Sequence, residues 1–227
     1  MSDDMDPFRR ILRVDAEPED LCDELDAAKI QRDGKWILNH RLIVEPDYDP
    51  EHNARYNREL ESCRSKADAL KMDKQWREYV CAHPKEHYPA ILEEIKSLTT
   101  TAVWCEAVRS AWYLSDVLWI NRDAWLRIFS DSERIAGVTT KQEAAYLAAQ
   151  VDPLTVYRGC LPMHVDGLSW SLSFSATEHF KREAGFTGVI YSGIVKKYDV
   201  LAYMNPNNEE FEVIVSPEHV TNKEIAL

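Results

Sequence analysis

The chain has 227 residues, with 39 Asp and Glu against 27 Lys and Arg, a formal net charge of −12 and a mean hydropathy of −0.42. This length allows one large domain or two small ones, with a core that needs no disulfide or metal. The acidic balance argues against holding nucleic acid on a broad basic face, because such a face needs clustered Lys and Arg. Brief contact with RNA or DNA stays open.

The cysteines and the apolar runs set further bounds. The five cysteines form no C-x-x-C pair, so neither a disulfide framework nor a zinc site is predicted. The first residues lack the basic start and apolar core of a signal peptide, and no apolar run approaches the roughly 18 residues that span a bilayer. We therefore expect a cytoplasmic chain with reduced thiols, no metal and no membrane contact.

Charge and composition divide the chain into three parts. Residues 1–26 carry a net charge of −7, which predicts an acidic arm over 1–30, either a solvated tail or a tether for a basic partner. Five of the seven glycines follow residue 158, whereas six of the seven tryptophans precede residue 126. We therefore expect a mainly helical region over 31–150 and a second module over 151–227, with the boundary near Pro153.

Helical patterns dominate the middle region. Two short β-like runs at 36–38 and 42–44 precede a charged stretch, 53–80, that has few helix breakers. Helices are also predicted at 90–98, at 103–118, where apolar residues recur at helical spacing, and from a capping box at Thr140 and Glu143 to about Gln150. Aromatic residues at helical spacing over 104–125 are expected to pack in the core rather than to stack on bases.

The last part changes to strand-like patterns. Short runs rich in β-branched residues predict strands at 154–158, 188–195, 200–203 and 211–215. Between the first two, a short helix with Ser175 as its N-cap is expected. The fold class is therefore α+β, a helical region followed by a mixed α/β module.

Three short motifs in this module carry the chemistry that suggests a function. They are Tyr157-Arg158-Gly159, Ser169-Trp170-Ser171 and Glu210-Phe211-Glu212. Each alone has an ordinary explanation, as an ion-paired strand residue, a turn or a solvated loop. Their order, with an arginine ending one strand, a serine opening the next and a glutamate beginning a third, resembles the R-S-E class of NAD-dependent mono-ADP-ribosyltransferases over about 154–216.

The resemblance implies a fold with two small sheets around an NAD+ cleft. Arg158, beside Gly159, holds the pyrophosphate or a ribose oxygen, since a guanidinium presents two aligned donors. Glu212 stabilises the positive charge that develops on the ribose as nicotinamide leaves, and Ser169 positions Glu212. Tyr157 or Trp170 offers a stacking wall for the nicotinamide ring.

The chain departs from the family at one position. The usual Ser-Thr-Ser is Ser-Trp-Ser here, which leaves open whether Ser169 or Ser171 is the functional serine; Ser169 is favoured because it holds the first position. The resemblance also implies that Glu210 engages the acceptor, with an arginine acceptor favoured and nucleic acid open, and Glu209 is the alternative if the register slips by one residue.

The resemblance also sets the expected partners. They are NAD+, a macromolecular acceptor that the helical region helps to select, and an antitoxin or inhibitor, as for a phage-encoded modifier or a defence or toxin–antitoxin toxin in a bacterial or infected-host cytoplasm. Two alternatives are an NAD glycohydrolase and a catalytically silent binding or regulatory module of the same fold.

Overall fold

Residues 20–115, 121–183, 188–205 and 209–226 are described by the computed structural model, with backbone only over 179–183. The chain divides into two compact units, Met1–Asp73 with Ala82–Pro84, and Lys74–Cys81 with Lys85–Leu227. This division falls within the 31–150 region, and Pro153 lies inside the second unit. Residues 1–19 of the expected acidic arm lie outside the described residues.

The first unit combines a small antiparallel sheet with one long helix. Asp33 and Gly34, with φ of 52° and 80°, form the two-residue turn that joins the first two strands, and Asp-Gly is a favoured pair for such a turn. The elements are α1 (Asp23–Ala27), β1 (Lys29–Arg32), β2 (Lys35–His40), β3 (Ile43–Glu45) and α2 (Asn53–Met72). The predicted β-like runs correspond to β2 and β3, whereas α1 and β1 were not predicted.

The core of this unit lies between the sheet and the helices. It consists of six buried apolar side chains, Leu21, Leu25, Leu38, Ile43, Tyr56 and Leu60. The helix predicted over 53–80 is two helices, because the chain turns at Lys74, whose φ is 56°. A side chain at positive φ cannot continue a right-handed helix.

The second unit contains the other α-helices of the described residues. They are α3 (Trp76–Cys81), α4 (Tyr88–Ile95), α5 (Thr101–Leu114), α6 (Arg122–Phe129), α7 (Lys141–Ala149) and α8 (Phe174–Glu183). The 103–118 prediction corresponds to α5 as far as Leu114, and its last residues, 116–118, lie outside the described residues. Helix α6 was not predicted.

Two helix starts test the capping predictions. The capping box of α7 is confirmed, since the Thr140 hydroxyl accepts from the Glu143 backbone N–H and the Glu143 carboxylate accepts from the Thr140 N–H. The cap predicted for α8 is wrong by two residues. Ser173 accepts from the Ala176 N–H over 3.3 Å, and Ser175 already lies inside the helix.

Six antiparallel strands of the second unit form one sheet. They are β4 (Leu154–Cys160), β5 (Ser169–Ser171), β6 (Val189–Val195), β7 (Val200–Met204), β8 (Glu212–Val215) and β9 (Thr221–Ile225), in the order β7-β8-β5-β4-β6-β9. The expectation of two small sheets is therefore corrected to one connected sheet. Its halves meet at β4 and β5, which among the described residues share one pair, Tyr157 with Ser171. Strand β9 was not predicted.

Apolar side chains cover one face of the sheet. Buried residues from five of the strands pack with Val220, and they include Leu154, Val156, Trp170, Val195, Tyr203, Val213 and Val215. The helices bury Trp104, Trp112 and Trp125, so these aromatic residues belong to the core as predicted. Trp119 lies outside the described residues. In the part of the chain that is described, no helix combines the length and the apolar character needed to cross a membrane.

Candidate functional site

Three neighbouring strands bring the predicted motif residues together. Arg158 lies near the end of β4, Ser169 begins β5 and Glu212 begins β8, and β5 pairs with both of the other strands. The register aligns Tyr157 with Ser171 and Ser171 with Glu212. Directly opposed residues in a sheet share a face, so residues far apart in the sequence are neighbours here.

The Glu212 carboxylate is held by two neutral donors. The Ser169 hydroxyl donates to Oε1 over 2.5 Å, and the Trp112 indole N–H donates to Oε2 over 2.9 Å. Glu212 is 8% exposed, and Trp112 packs edge-on against Trp125 and Phe129, with ring centroids 5.2 and 4.8 Å away. Each carboxylate oxygen therefore has its own hydrogen-bond donor, and packing against two aromatic rings holds one of the donors, Trp112, in place.

Burial raises the pKa of Glu212 to about 7. The hydrogen bonds from Ser169 and Trp112 oppose this rise, the nearby Glu210 carboxylate adds to it, and Arg158 opposes it. At Glu212 the removal of water disfavours the charged form more than the two neutral donors favour it. Glu212 thus titrates near neutral pH, a property shared by many catalytic acids and bases.

The two serines of the motif have different partners. Ser169 contacts the Glu212 carboxylate, whereas the Ser171 hydroxyl donates to the backbone carbonyl of Glu210 over 2.7 Å and accepts from the Ser173 N–H over 3.0 Å. Ser171 thus ties the segment before β8 to the segment after β5. Of the two alternatives, Ser169 has the geometry that positions Glu212.

Arg158 joins β4 to the loop that leads into β5. Its Nε donates to the His164 carbonyl over 3.0 Å, and its Nη1 donates to the Ser169 carbonyl over 2.5 Å. A Cβ on Gly167 would lie only 2.1 Å from Nη2, so the guanidinium packs where only glycine leaves room. Burial lowers the pKa of Arg158, but a guanidinium keeps its charge in proteins.

The aromatic residues proposed as a stacking wall differ in accessibility. Trp170 is 1% exposed, lies in the apolar core and donates its indole N–H to the Gly167 carbonyl. The prediction that Trp170 offers a face to a ligand is therefore corrected, because the ring is covered by core side chains. Tyr157 is half-buried, and its ring packs edge-on against Phe174 with centroids 5.4 Å apart. Gly159, also half-buried, pairs with Ile190.

Glu210 lies close to Glu212, but the regular alternation of side chains along a strand does not account for this. Phe211, between the two glutamates, has a φ of 50°, and β8 begins only at Glu212. Glu210 nevertheless lies near enough for its charge to raise the pKa of Glu212. Glu209, the alternative, is exposed. The two carboxylates are therefore brought near each other by the turn at Phe211, and not by the alternation of side chains along a strand.

Sequence reasoning missed Trp112 and the cavity beside Ser169. Trp112 was placed in the core, but a buried indole N–H needs an acceptor, and that requirement was the available signal. The cavity is open to solvent on one side and has a volume of about 450 Å³, and its walls include Ser169 and Arg158 with two arginines of α6, Arg122 and Arg127. No motif marked the α6 residues, because α6 itself was not predicted.

The described ranges contain no group of three or more His, Cys, Asp or Glu side chains placed to hold a metal ion. Comparison of the chain with protein-family models, with curated proteins and with solved structures finds no match. The geometry of the site is therefore the basis on which a function can be inferred.

Proposed function

We propose that this chain is an NAD+-dependent mono-ADP-ribosyltransferase. The observation that carries the proposal is the contact between Ser169 and Glu212 on adjacent strands, with Arg158 on the next strand. This is the arrangement that the R-S-E resemblance requires of three motifs spread along the sequence. The raised pKa of Glu212 and the adjoining cavity also support an active site at this place.

The proposed reaction begins with breaking the bond between the nicotinamide nitrogen and the ribose carbon. The electron pair of this bond goes to the nicotinamide, which leaves as a neutral molecule, and positive charge develops on the ribose. A carboxylate at the ribose stabilises that charge more in the transition state than in the ground state. Glu212 is the proposed carboxylate, and the hydrogen bonds from Ser169 and Trp112 hold it ready.

The second step transfers ADP-ribose to an acceptor. A nucleophilic atom of the acceptor forms a bond to the ribose carbon and loses a proton, which Glu210 is proposed to accept. An arginine side chain of a protein is the favoured acceptor, and a nucleic acid is an alternative that the experiment below distinguishes. Tyr157 and Phe174 form the aromatic contact proposed to border the nicotinamide.

Labelled NAD+ and a cell lysate test this proposal. The purified chain is incubated with NAD+ that carries the label on its adenylate half, and separate portions are then treated with protease and with nuclease. We expect macromolecular label that one of the two treatments removes, which identifies the acceptor class. Glu218→Gln, at an exposed position, is the matched control for removing one carboxylate and is expected to transfer label normally.

Two outcomes contradict the transferase. Nicotinamide release without any labelled macromolecule would select an NAD glycohydrolase. Absence of nicotinamide release, with NAD+ still bound, would select a silent binding module. For the second step, Glu210→Gln is expected to reduce transfer while NAD+ hydrolysis continues, and equal loss of both would count against its role toward the acceptor.

A further inference from the structure

One wall of the cavity beside Ser169 consists of residues that lie outside the three motifs. It is formed by the start and middle of α6, facing Arg158 and the segment 163–169. Three arginines border this one space, Arg122, Arg127 and Arg158. A volume of about 450 Å³ is in the range of small-ligand sites, and clustered guanidinium groups favour an anionic ligand.

Two of the three guanidinium nitrogens of Arg158 already donate hydrogen bonds within the protein. Its Nε and Nη1 donate to the carbonyls of His164 and Ser169, and its Nη2 packs against Gly167. A guanidinium binds phosphate best with a pair of parallel N–H donors on one edge. Because two of its nitrogens hold the loop before β5, Arg158 is primarily the residue that shapes this side of the cavity.

The acidic residues of the cavity already have cationic partners. Asp123 pairs with the Arg122 Nε over 3.2 Å, and Asp166 pairs with Lys223 over 2.7 Å. Arg122 also donates to the Asp166 carbonyl. Arg127 is exposed and, within the part of the chain that the structure describes, makes no ion pair or hydrogen bond. It is therefore the cavity arginine with its whole guanidinium fork available.

We infer that Arg127 is the main phosphate ligand for the pyrophosphate of NAD+, and that Arg158 mainly holds the loop that presents Ser169. The inference rests on the proposed function, since it assigns the phosphate contact within that same site. The contact with the pyrophosphate is thus assigned to Arg127 of helix α6, and no longer to Arg158 of the sheet. Arg122, held by Asp123 and by the Asp166 carbonyl, contributes less.

Calorimetric binding of ADP-ribose tests this assignment without requiring catalysis. Arg127→Gln removes the charged fork, and a charge-assisted hydrogen bond of typical strength corresponds to a Kd about tenfold weaker or more. Arg127→Lys keeps the charge without the fork and is expected to be intermediate. Arg77→Gln, at an exposed arginine of α3 outside the cavity wall, is the matched control and should leave the Kd unchanged.

Kinetics and stability separate the two arginines. Arg127→Gln is expected to raise the KM for NAD+ about tenfold with little change in kcat, because the phosphates are bound equally in the ground and transition states. Its Tm should stay that of the unmodified protein. Arg158→Lys is expected to lower the Tm, because one ammonium cannot replace the fork that holds two carbonyls.

The outcomes distinguish this inference from the proposed function. If the unmodified protein releases nicotinamide and Arg127→Gln still binds ADP-ribose with an unchanged Kd, the phosphate assignment fails and the transferase proposal survives. If the unmodified protein neither binds ADP-ribose nor releases nicotinamide, both fail. A weaker Kd in Arg127→Gln with an unchanged Kd in Arg77→Gln supports the assignment.

Discussion

Two buried glutamates of the second unit have opposite electrostatic surroundings. Glu143, at the start of α7, and Glu212, at the start of β8, are each 8% exposed. Burial by itself favours a higher pKa for both carboxyls, and the other contacts decide the net direction. At Glu143 the hydrogen bonds from Arg109, Asn205 and Thr140 outweigh burial and lower the pKa, whereas at Glu212 burial prevails and the pKa is about 7.

The donors account for this difference. Arg109 binds both oxygens of Glu143, at 2.8 and 3.0 Å, so a cation compensates the buried charge. Glu212 receives one hydroxyl and one indole N–H, which are both neutral. A carboxylate that already has a cation holds elements together, whereas one with only neutral donors can respond to a positive charge that arrives or develops beside it.

The largest expected effect on stability comes from removing the cation at Glu143. Arg109→Met keeps much of the side-chain volume but leaves a buried carboxylate without a positive partner. We expect the free energy of unfolding at pH 7 to fall by about 3 kcal/mol, as is typical when one partner of a buried pair is removed. Urea denaturation of the variant and the unmodified protein measures this difference.

The double variant Arg109→Met/Glu143→Gln is the control. It removes the buried charge, and the one amide oxygen can accept from either the Asn205 or the Thr140 N–H, which donate to different oxygens of the glutamate. Part of the lost stability should return. If Arg109→Met alone leaves the free energy of unfolding unchanged, the explanation given for the difference between the two glutamates is wrong.

Removing the charge at Glu212 is expected to raise the free energy of unfolding, whereas Arg109→Met lowers it. Because the folded-state pKa lies above the ordinary 4.5, the folded chain retains a proton that the unfolded chain releases, and stability falls as pH rises from about 4.5 through about 7. Glu212→Gln lacks this loss and is expected to be more stable than the unmodified protein by about 2 kcal/mol at pH 8.

Urea denaturation at pH 8 and at pH 5 checks the Glu212→Gln prediction. The gain should shrink at pH 5, where the Glu212 carboxyl of the unmodified protein is protonated in the folded state. A variant that is less stable at pH 8 would mean that the carboxylate is compensated after all. Glu218→Gln, on the surface, should change stability little at either pH.

Removing one of the two neutral donors is expected to have a smaller effect, which is a shift in the pKa of Glu212. Trp112→Phe removes the indole N–H that favours the charged form of Glu212, so the pKa should rise by about one pH unit. A carbon-13 titration of the Glu212 carboxyl measures this pKa without requiring activity. Trp125→Phe is the control for lost aromatic packing, and it should leave the pKa unchanged.

Local sequence patterns predicted the parts of the fold that depend on neighbours along the chain. The capping box at Thr140 needs two residues three apart, and the β-branched run of β6 lies within seven residues. Each of the three motifs also lies within a few residues, whereas the contact between Ser169 and Glu212, 43 positions apart, was expected from the resemblance alone. These features leave a signal within a short window of sequence.

The remaining features depend on contacts between distant residues. Trp112 and Glu212 are 100 positions apart, and the pattern around Trp112 indicates only that its ring is buried. The side of the sheet on which Trp170 lies follows from core packing rather than from the Ser-Trp-Ser motif. The turn at Phe211 required a positive φ at a non-glycine residue, which sequence patterns rarely reveal.

Nicotinamide release from NAD+ as a function of pH tests the central claim most directly. We expect release by the unmodified protein to increase with pH through about 7, as Glu212 becomes charged, and Glu212→Gln to be slower by about a thousandfold at pH 8. Release by Glu212→Gln at the rate of the unmodified protein would contradict the assignment of Glu212, and the absence of release by the unmodified protein would contradict the proposed reaction.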